Sequence, residues 1–292
     1  MKERAYAKIN LCLDVVRKRD DGYHELNMIM VPLDFYDVLD IEIADEMSLS
    51  SNAGYLPMNE KNSIIKAIEV LREEYGFKEN FKIDLMKHIP TQGGLAGGSA
   101  DGAATIRLLK RLLNLQMNQS KMIELAKKVG ADVPFCCINK PSLVSGIGEV
   151  LEPFEFNTDF YVLLVKPFKG VSTKVAFESL DFSTAIHPDC VKMISALMNQ
   201  DYEGIVNSLG NTLEQPAFKM VPSIAKIKQE LLELGMDGAL MSGSGSTVFA
   251  LSKNEQLVKE VARKMKVNSN FVRITKILAK NNKSLPNISK KV

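Results

Sequence analysis

Alternation of apolar and polar positions is clearest at residues 38–43, Val-Leu-Asp-Ile-Glu-Ile, and again at 81–85; both segments are predicted strands. Residues 5–16 mix apolar and small polar side chains and read as a further strand entering the core. At 63–75 the period changes: Ile64, Ile68, Leu71 and Tyr75 recur at helical spacing, with Asn62 placed to cap the helix. Beyond the glycine-rich segment near residue 95, Ala103, Ile106, Leu109 and Leu113 define the buried face of another helix. A helix over 120–129 should end at Gly130. The continuous apolar run 161–165 predicts a buried strand, and the polar stretch 155–159 before it is the best boundary between two lobes. Helices are predicted at 188–198, 202–208, 222–234 and 255–265, with strands at 247–251 and 272–278. The Lys- and Asn-rich tail after Ala279 is expected to be disordered. The pattern as a whole is α+β in two lobes, 1–157 and 158–280, followed by the tail at 281–292.

Composition narrows the function classes. A chain of 292 residues with 46% hydrophobic and 25% charged positions has the make-up of a globular protein with a sizeable core. Its net charge of +2 gives no reason to expect nucleic acid or a membrane surface as partner. No apolar run approaches the ~20 residues needed to span a bilayer. Residues 1–11 lack the apolar core of a secretory signal, so a cytoplasmic location is expected. Cys12, Cys136, Cys137 and Cys190 form no C-x-x-C pair, and four reduced, mostly buried thiols are expected.

The most informative stretch is 90–105, Pro-Thr-Gln-Gly-Gly-Leu-Ala-Gly-Gly-Ser-Ala-Asp-Gly-Ala-Ala-Thr. Its glycines let a ligand approach the main chain, and the helix start behind them offers unpaired N–H groups and a partial positive charge. Such a loop suits phosphate. It is not a Walker loop, because Ser99 stands where the lysine should be. Four further segments carry candidate chemistry. Lys8 and Asn10 lie two apart on a strand and so share a face. Tyr23 and His24 follow an Asp21-Gly22 turn and could hold a nucleobase by stacking and edge contacts. Asp132 is an acid fixed between Gly130 and Pro134 in an apolar setting, either a helix cap or a working acid. The segment 242–246, Ser-Gly-Ser-Gly-Ser, is a second small-residue loop whose dinucleotide fingerprint is incomplete.

Taken in order, these motifs resemble the GHMP kinases over residues 5–251. The resemblance implies a two-lobed α+β GHMP kinase fold: an amino-terminal lobe like the second domain of ribosomal protein S5 and a ferredoxin-like carboxy-terminal lobe. It implies ATP as co-substrate with Mg2+, the phosphates wrapped by Gly94, Leu95, Ala96, Gly97, Gly98 and Ser99, and Asn62 near the adenosine. Asp132, paired with Lys8, would be the base on the substrate hydroxyl. Lys8/Asn10 and Tyr23/His24 resemble the branch of the family that phosphorylates the 2-hydroxyl of a cytidyl diphosphate alcohol in non-mevalonate isoprenoid synthesis. There Asn10, Tyr23 and His24 would hold the small-molecule substrate, Phe177 would lie against its base, and Gly243, Ser244 and Gly245 would line its side of the cleft. Neither nucleic acid nor membrane is implied as a partner, the assembly being a monomer or homodimer. No acidic cluster points to metal ligands.

The family usually has alanine where this chain has Gln92, Gly93 and Gly102. A glycine just inside a helix costs roughly 0.8–1 kcal/mol against alanine, so a more flexible cradle is expected. A GHMP-type kinase of another small alcohol and a catalytically inactive nucleotide-binding regulator are the alternatives. Retention of both Lys8 and Asp132 argues against the second.

Overall fold

The structure is a computed structural model describing residues 1–278 apart from 58, 268 and 270; the tail expected to be disordered lies outside the described residues. The chain opens with two long strands, β1 (Lys2–Lys18) and β2 (His24–Ala44), then β3 (Ser48–Ser51), α1 (Ser63–Tyr75) and β4 (Asn80–Met86). Three helices follow, α2 (Gly97–Leu112), α3 (Gln119–Val129) and α4 (Val133–Ile138), and then β5 (Ser142–Gly146) and β6 (Val150–Pro153). After β7 (Tyr161–Lys166) come α5 (Thr173–Glu178), α6 (Cys190–Met198), α7 (Tyr202–Asn207), the short β8 (Gly210–Asn211), α8 (Glu214–Met220) and α9 (Ser223–Glu233). The chain closes with β9 (Gly238–Met241), β10 (Val248–Ser252), α10 (Glu255–Met265) and β11 (Phe271–Thr275).

Two sheets result. The larger runs β3-β4-β2-β1-β8, with β5 and β6 continuing from β2. The smaller is antiparallel in the order β11-β7-β10-β9, the strand order of a split β-α-β ferredoxin-like unit. Turn chemistry joins β1 to β2 where expected: Gly22 takes φ 85° at the tip. The single predicted strand at 38–43 is the far end of β2, which runs unbroken from His24 because its middle, Met28 to Leu33, is buried on both faces and shows no alternation.

Burial explains how β1 can carry chemistry. Ile9 and Leu11 pack with Ile29 and Val31 against Val162, Leu164 and Phe249, so the two sheets share a core. Ala5, Leu13 and Val15 belong instead to the core under α1–α4. The switch occurs at irregularities in the β1–β2 register between Tyr6 and Lys8 and between Asn10 and Cys12. Such bulges re-aim side chains, and here they bracket Lys8 and Asn10.

Two expectations need correction, and one glycine gains a role. Cys12 and Cys190 are joined in a disulfide, Cα–Cα 5.6 Å, and only Cys136 and Cys137 remain free and buried. The partners are 178 residues apart and meet because α6 packs on β1 and β2, which cysteine spacing cannot reveal. The last strand is shorter than 272–278: it ends at Thr275, and Ile277 makes an isolated bridge to Leu33. Gly102 has a packing role that the sequence did not show. A Cβ there would come within 3.1 Å of the Ser63 carbonyl and 3.3 Å of Val129, so it is the glycine that lets α2 pack closely on α1 and α3.

Candidate active site

Between the lobes lies a cavity of about 1140 Å³. Lys8 and Asn10 reach it from β1, Tyr23 and His24 from the hairpin tip, and Gly94 through Ser99 from the glycine loop. Asp132 enters from the start of α4, Phe177 from α5, and Gly243, Ser244 and Gly245 from the loop between β9 and β10. Six segments of the chain thus meet on one space. Asn62 stands apart from them: its Oδ1 accepts the Ile64 N–H and caps α1, while its neighbour Ser63 lines the cavity.

At the centre, Lys8 Nζ donates to Asn10 Oδ1 at 2.8 Å and lies 3.6 Å from Asp132 Oδ2. Lys8 is buried, whereas the Asp132 side chain keeps 35% of its surface exposed toward the cavity. Asp132 occupies the N-cap position of α4, yet its side chain makes no capping hydrogen bond. The carboxylate is turned instead to the lysine and the cavity, so the helix-cap reading of this residue does not hold.

The glycine loop is fixed from several sides. Lys8 N–H donates to Leu95 O at 3.2 Å, Thr247 N–H to Gly93 O at 3.2 Å, and Ser242 Oγ to Gly94 O at 2.9 Å. Gly94 takes φ 72°, and a Cβ there would collide with the Ser242 carbonyl, so only glycine permits this interlock. Ala96, at φ 56°, begins α2 with no side-chain cap and no acid in the first turn. The N–H groups of Gly97, Gly98 and Ser99 are left for an anion, with the helix dipole behind them. Thr105 takes no part: it is buried, and its Oγ1 donates back to Asp101 O.

Across the cavity, His24 and Phe177 ring centroids are 5.1 Å apart, and Phe182 stacks behind His24 at 6.2 Å. Tyr23 is 60% exposed with a free ring face. Burial, with a smaller contribution from Lys18, holds His24 below its ordinary 6.5. A neutral imidazole offers one donor and one acceptor, which matches the mixed edge of a pyrimidine. Asn211 Nδ2 donates to Met241 O and Gly243 O, both at 2.8 Å, and Ser244 Oγ pairs with Thr173 Oγ1 at 2.8 Å; together they fix the second small-residue loop.

Sequence reasoning missed Lys87, which lines the cavity below the loop. Its Nζ lies 2.5 Å from Asp37 Oδ2 and 2.8 Å from Asp101 Oδ2, and all three side chains are buried. Burial works against the ammonium, but the two carboxylates overcome it and raise the Lys87 pKa. Burial pushes Asp101 well above the carboxylate range, with Lys87 opposing, and Asp101 Oδ1 has no hydrogen-bond partner. The trio anchors α2 through Asp101, and a Cβ on Gly97 would come to 3.0 Å of Lys87 Nζ.

A two-lobed α+β fold around a glycine phosphate loop and a lysine–aspartate pair defines a small-molecule kinase. The model for the GHMP kinases N terminal domain matches residues 62–140, and that for GHMP kinases C terminal matches 193–269. The chain belongs to the GHMP kinases. It is 40% identical over 280 residues to the 4-diphosphocytidyl-2-C-methyl-D-erythritol kinase of Exiguobacterium sibiricum, covering 95% of this chain and 98% of that one. The Clostridium kluyveri kinase of the same name is 40% identical over 275 residues, covering 94% and 98%. A crystal structure of 4-(cytidine 5'-diphospho)-2C-methyl-D-erythritol kinase superposes with a TM-score of 0.80 at 28% identity, covering 94% of this chain and 99% of the other. A mevalonate kinase from L. major, TM-score 0.72 at 16% identity over 95% of each chain, shares the fold.

Proposed function

We propose that this chain transfers the γ-phosphoryl group of ATP to the 2-hydroxyl of 4-diphosphocytidyl-2-C-methyl-D-erythritol, a step of non-mevalonate isoprenoid precursor synthesis. The relatives at 40% identity over nearly the whole chain are named as kinases of that compound. The observation that carries the reading is the meeting of Lys8–Asp132, the uncapped glycine loop and the Tyr23/His24/Phe177 aromatic wall on one cavity. An alcohol, a triphosphate and a pyrimidine each find matching chemistry there.

In this reading Asp132 accepts the proton of the substrate hydroxyl as its oxygen bonds to the γ-phosphorus. The bond from that phosphorus to the β–γ bridging oxygen breaks, and ADP leaves. Lys8 Nζ, held by Asn10, lies beside the acid and would stand beside the attacking oxygen. Phosphoryl transfer is chiefly positioning and charge neutralisation, and the N–H groups of residues 97–99 offer fixed dipoles for the phosphates. Tyr23 and Phe177 would enclose the cytosine while neutral His24 reads its edge; Gly243, Ser244 and Gly245 would line the remainder of the substrate's path. Asn62 would act at the adenosine side through α1, whose start it caps.

Magnesium would arrive with the ATP phosphates. The described residues contain no group of three acids, histidines or cysteines fit to hold a metal. The cavity wall offers Ser99 and the carboxylates of Asp132 and Glu178. When bound, the ion supplies charge neutralisation on the phosphates. We place the lobe boundary at 157/158 and the enzyme in the cytoplasm, where ATP is available, as a monomer or homodimer; no described helix is long and apolar enough to cross a membrane.

The test is a steady-state assay with ATP and a panel of alcohols: the cytidyl diphosphate methylerythritol, mevalonate and homoserine. Turnover confined to the first is expected. Turnover on another alcohol, with none on the cytidyl substrate, would refute the assignment.

A further inference from the structure

Three lysines are buried around the glycine loop: Lys8, Lys87 and Lys166, exposed by 4, 8 and 4%. Lys8 has Asp132, and Lys87 has Asp37 and Asp101. Lys166, at the end of β7, has no carboxylate within ion-pair distance among the described residues. Its Nζ donates once, to Pro167 O at 3.1 Å, which leaves two of its three N–H groups unused. A carbonyl is a dipole, not a counter-charge. Burial alone holds the Lys166 pKa below its ordinary 10.5, with no anion acting in the other direction.

Where the side chain lies gives this a direction. A Cβ on Gly93 would come within 3.4 Å of Lys166 Cδ and 2.8 Å of Thr247 Oγ1. Thr247 Oγ1 is itself buried without a hydrogen-bond partner. Gly93 lines the cavity, so at this point the wall is a single glycine thick. Ligand space lies on one side of it; a buried lysine stem and an orphan hydroxyl lie on the other. An uncompensated buried ammonium is expensive, and such costs concentrate where the charge is used.

We infer that Lys166 is the cation that backs the glycine loop, its charge compensated by the phosphate chain of ATP laid across Gly93. The inference rests on the reading of that loop as the ATP phosphate site. Lys166 is a positioning residue, not a catalytic one, because Gly93 stands between it and the ligand. It also answers the absence of a Walker lysine at position 99: the cation comes from the carboxy-terminal lobe, behind the loop, so nucleotide binding draws the lobes together electrostatically.

Lys166→Met keeps the stem and removes the charge. The KM for ATP should rise about tenfold, the order expected of one unit charge acting on another through protein. The KM for the alcohol should not change. The free variant should melt at a higher temperature than the wild type, since an unpaired buried charge is gone, while the extra melting shift given by ATP over adenosine should shrink. A residue that only fills space would lose stability on substitution and leave that phosphate-dependent shift intact. Lys166→Arg, which keeps the cation, should hold ATP dependence near wild type, and Lys166→Gln serves as the neutral variant should the methionine not fold. An unchanged KM for ATP in the neutral variant overturns the inference. So does equal impairment of the arginine and neutral variants, or a change confined to the alcohol, which would assign the cation to the substrate's own diphosphate. If wild-type protein binds ATP no more tightly than adenosine, the loop reading falls first and the inference with it.

Discussion

Asp132 stands at the N-cap of α4 without capping it, its carboxylate turned to Lys8 and the cavity, and on the proposed reaction it is the base. Replacing it with asparagine preserves shape and removes the base. Turnover of Asp132→Asn should fall by roughly 100- to 10,000-fold while ATP still binds, as isothermal titration would record. Wild-type turnover in the variant would remove Asp132 from the chemistry. Tyr23 projects a free ring face, and base stacking on an aromatic is worth about 1–3 kcal/mol. Tyr23→Ala should therefore raise the KM for the cytidyl substrate about tenfold with little effect on ATP; the reverse pattern would move Tyr23 to the nucleotide side. His24 adds a pH dependence. Its folded pKa lies below 6.5, so the folded protein holds the neutral ring above that value and loses stability and substrate recognition as pH falls through the lowered pKa. The KM for the cytidyl substrate should be flat above pH 6.5 and climb on the acid side, and His24→Gln should abolish the climb. Lys8 and Asn10 were legible because a strand's period of two puts them on one face. Lys87 was not, because Asp37, Lys87 and Asp101 are brought together only by the β2–β4 pairing and the packing of α2.

At the scale of elements, the glycine loop owes its shape to what surrounds it as much as to its own sequence. Ser242 and Thr247, roughly 150 residues downstream, hold the backbone of Gly93 and Gly94. Spacing alone singled out the glycine loop but could not reveal this interlock. Gly94→Ala places a side chain at φ 72° into the Ser242 carbonyl, and overpacking of that kind costs about 1–3 kcal/mol. The variant should melt earlier and bind ATP weakly, measured by thermal shift with and without nucleotide; unchanged binding would mean that the interlock does not shape the site. The long amphipathic helices α1, α2, α9 and α10 were readable from period alone. The six-residue α4 and α5, too short for a clear period, were not; Asp132 stands at the start of α4 and Phe177 lies in α5. Their starts are marked only by Pro134 and by Ser172, whose hydroxyl accepts the Val175 N–H.

For the whole molecule, three features tie the segments before and after residue 158 together. Strand β8 joins β1 from the far side of the expected lobe boundary, the inner faces of both sheets share one core, and Cys12 is bonded to Cys190. A bridge closing so long a loop stabilises by about 5 kcal/mol in the chain-entropy picture. Cys12→Ser should thus lower the melting temperature of oxidised protein and leave that of fully reduced protein nearly unchanged; equal melting in oxidising buffer would show that the bond contributes nothing. The two-lobed α+β architecture was legible from the change of hydrophobic pattern near residue 160. The disulfide was not, because it depends on α6 lying across β1.

The central claim is a regiospecific transfer: one phosphate from ATP to the 2-hydroxyl of the cytidyl diphosphate alcohol, driven by Asp132 and Lys8. Phosphorus NMR of the products tests it most directly, with wild type and Asp132→Asn run side by side. The wild type should give ADP and a single new phosphomonoester resonance in equal amounts, its carbon coupling marking the 2-hydroxyl, and over the same time the variant should give at most a trace of either. ADP without the new ester, or an ester on a different hydroxyl, would contradict the account.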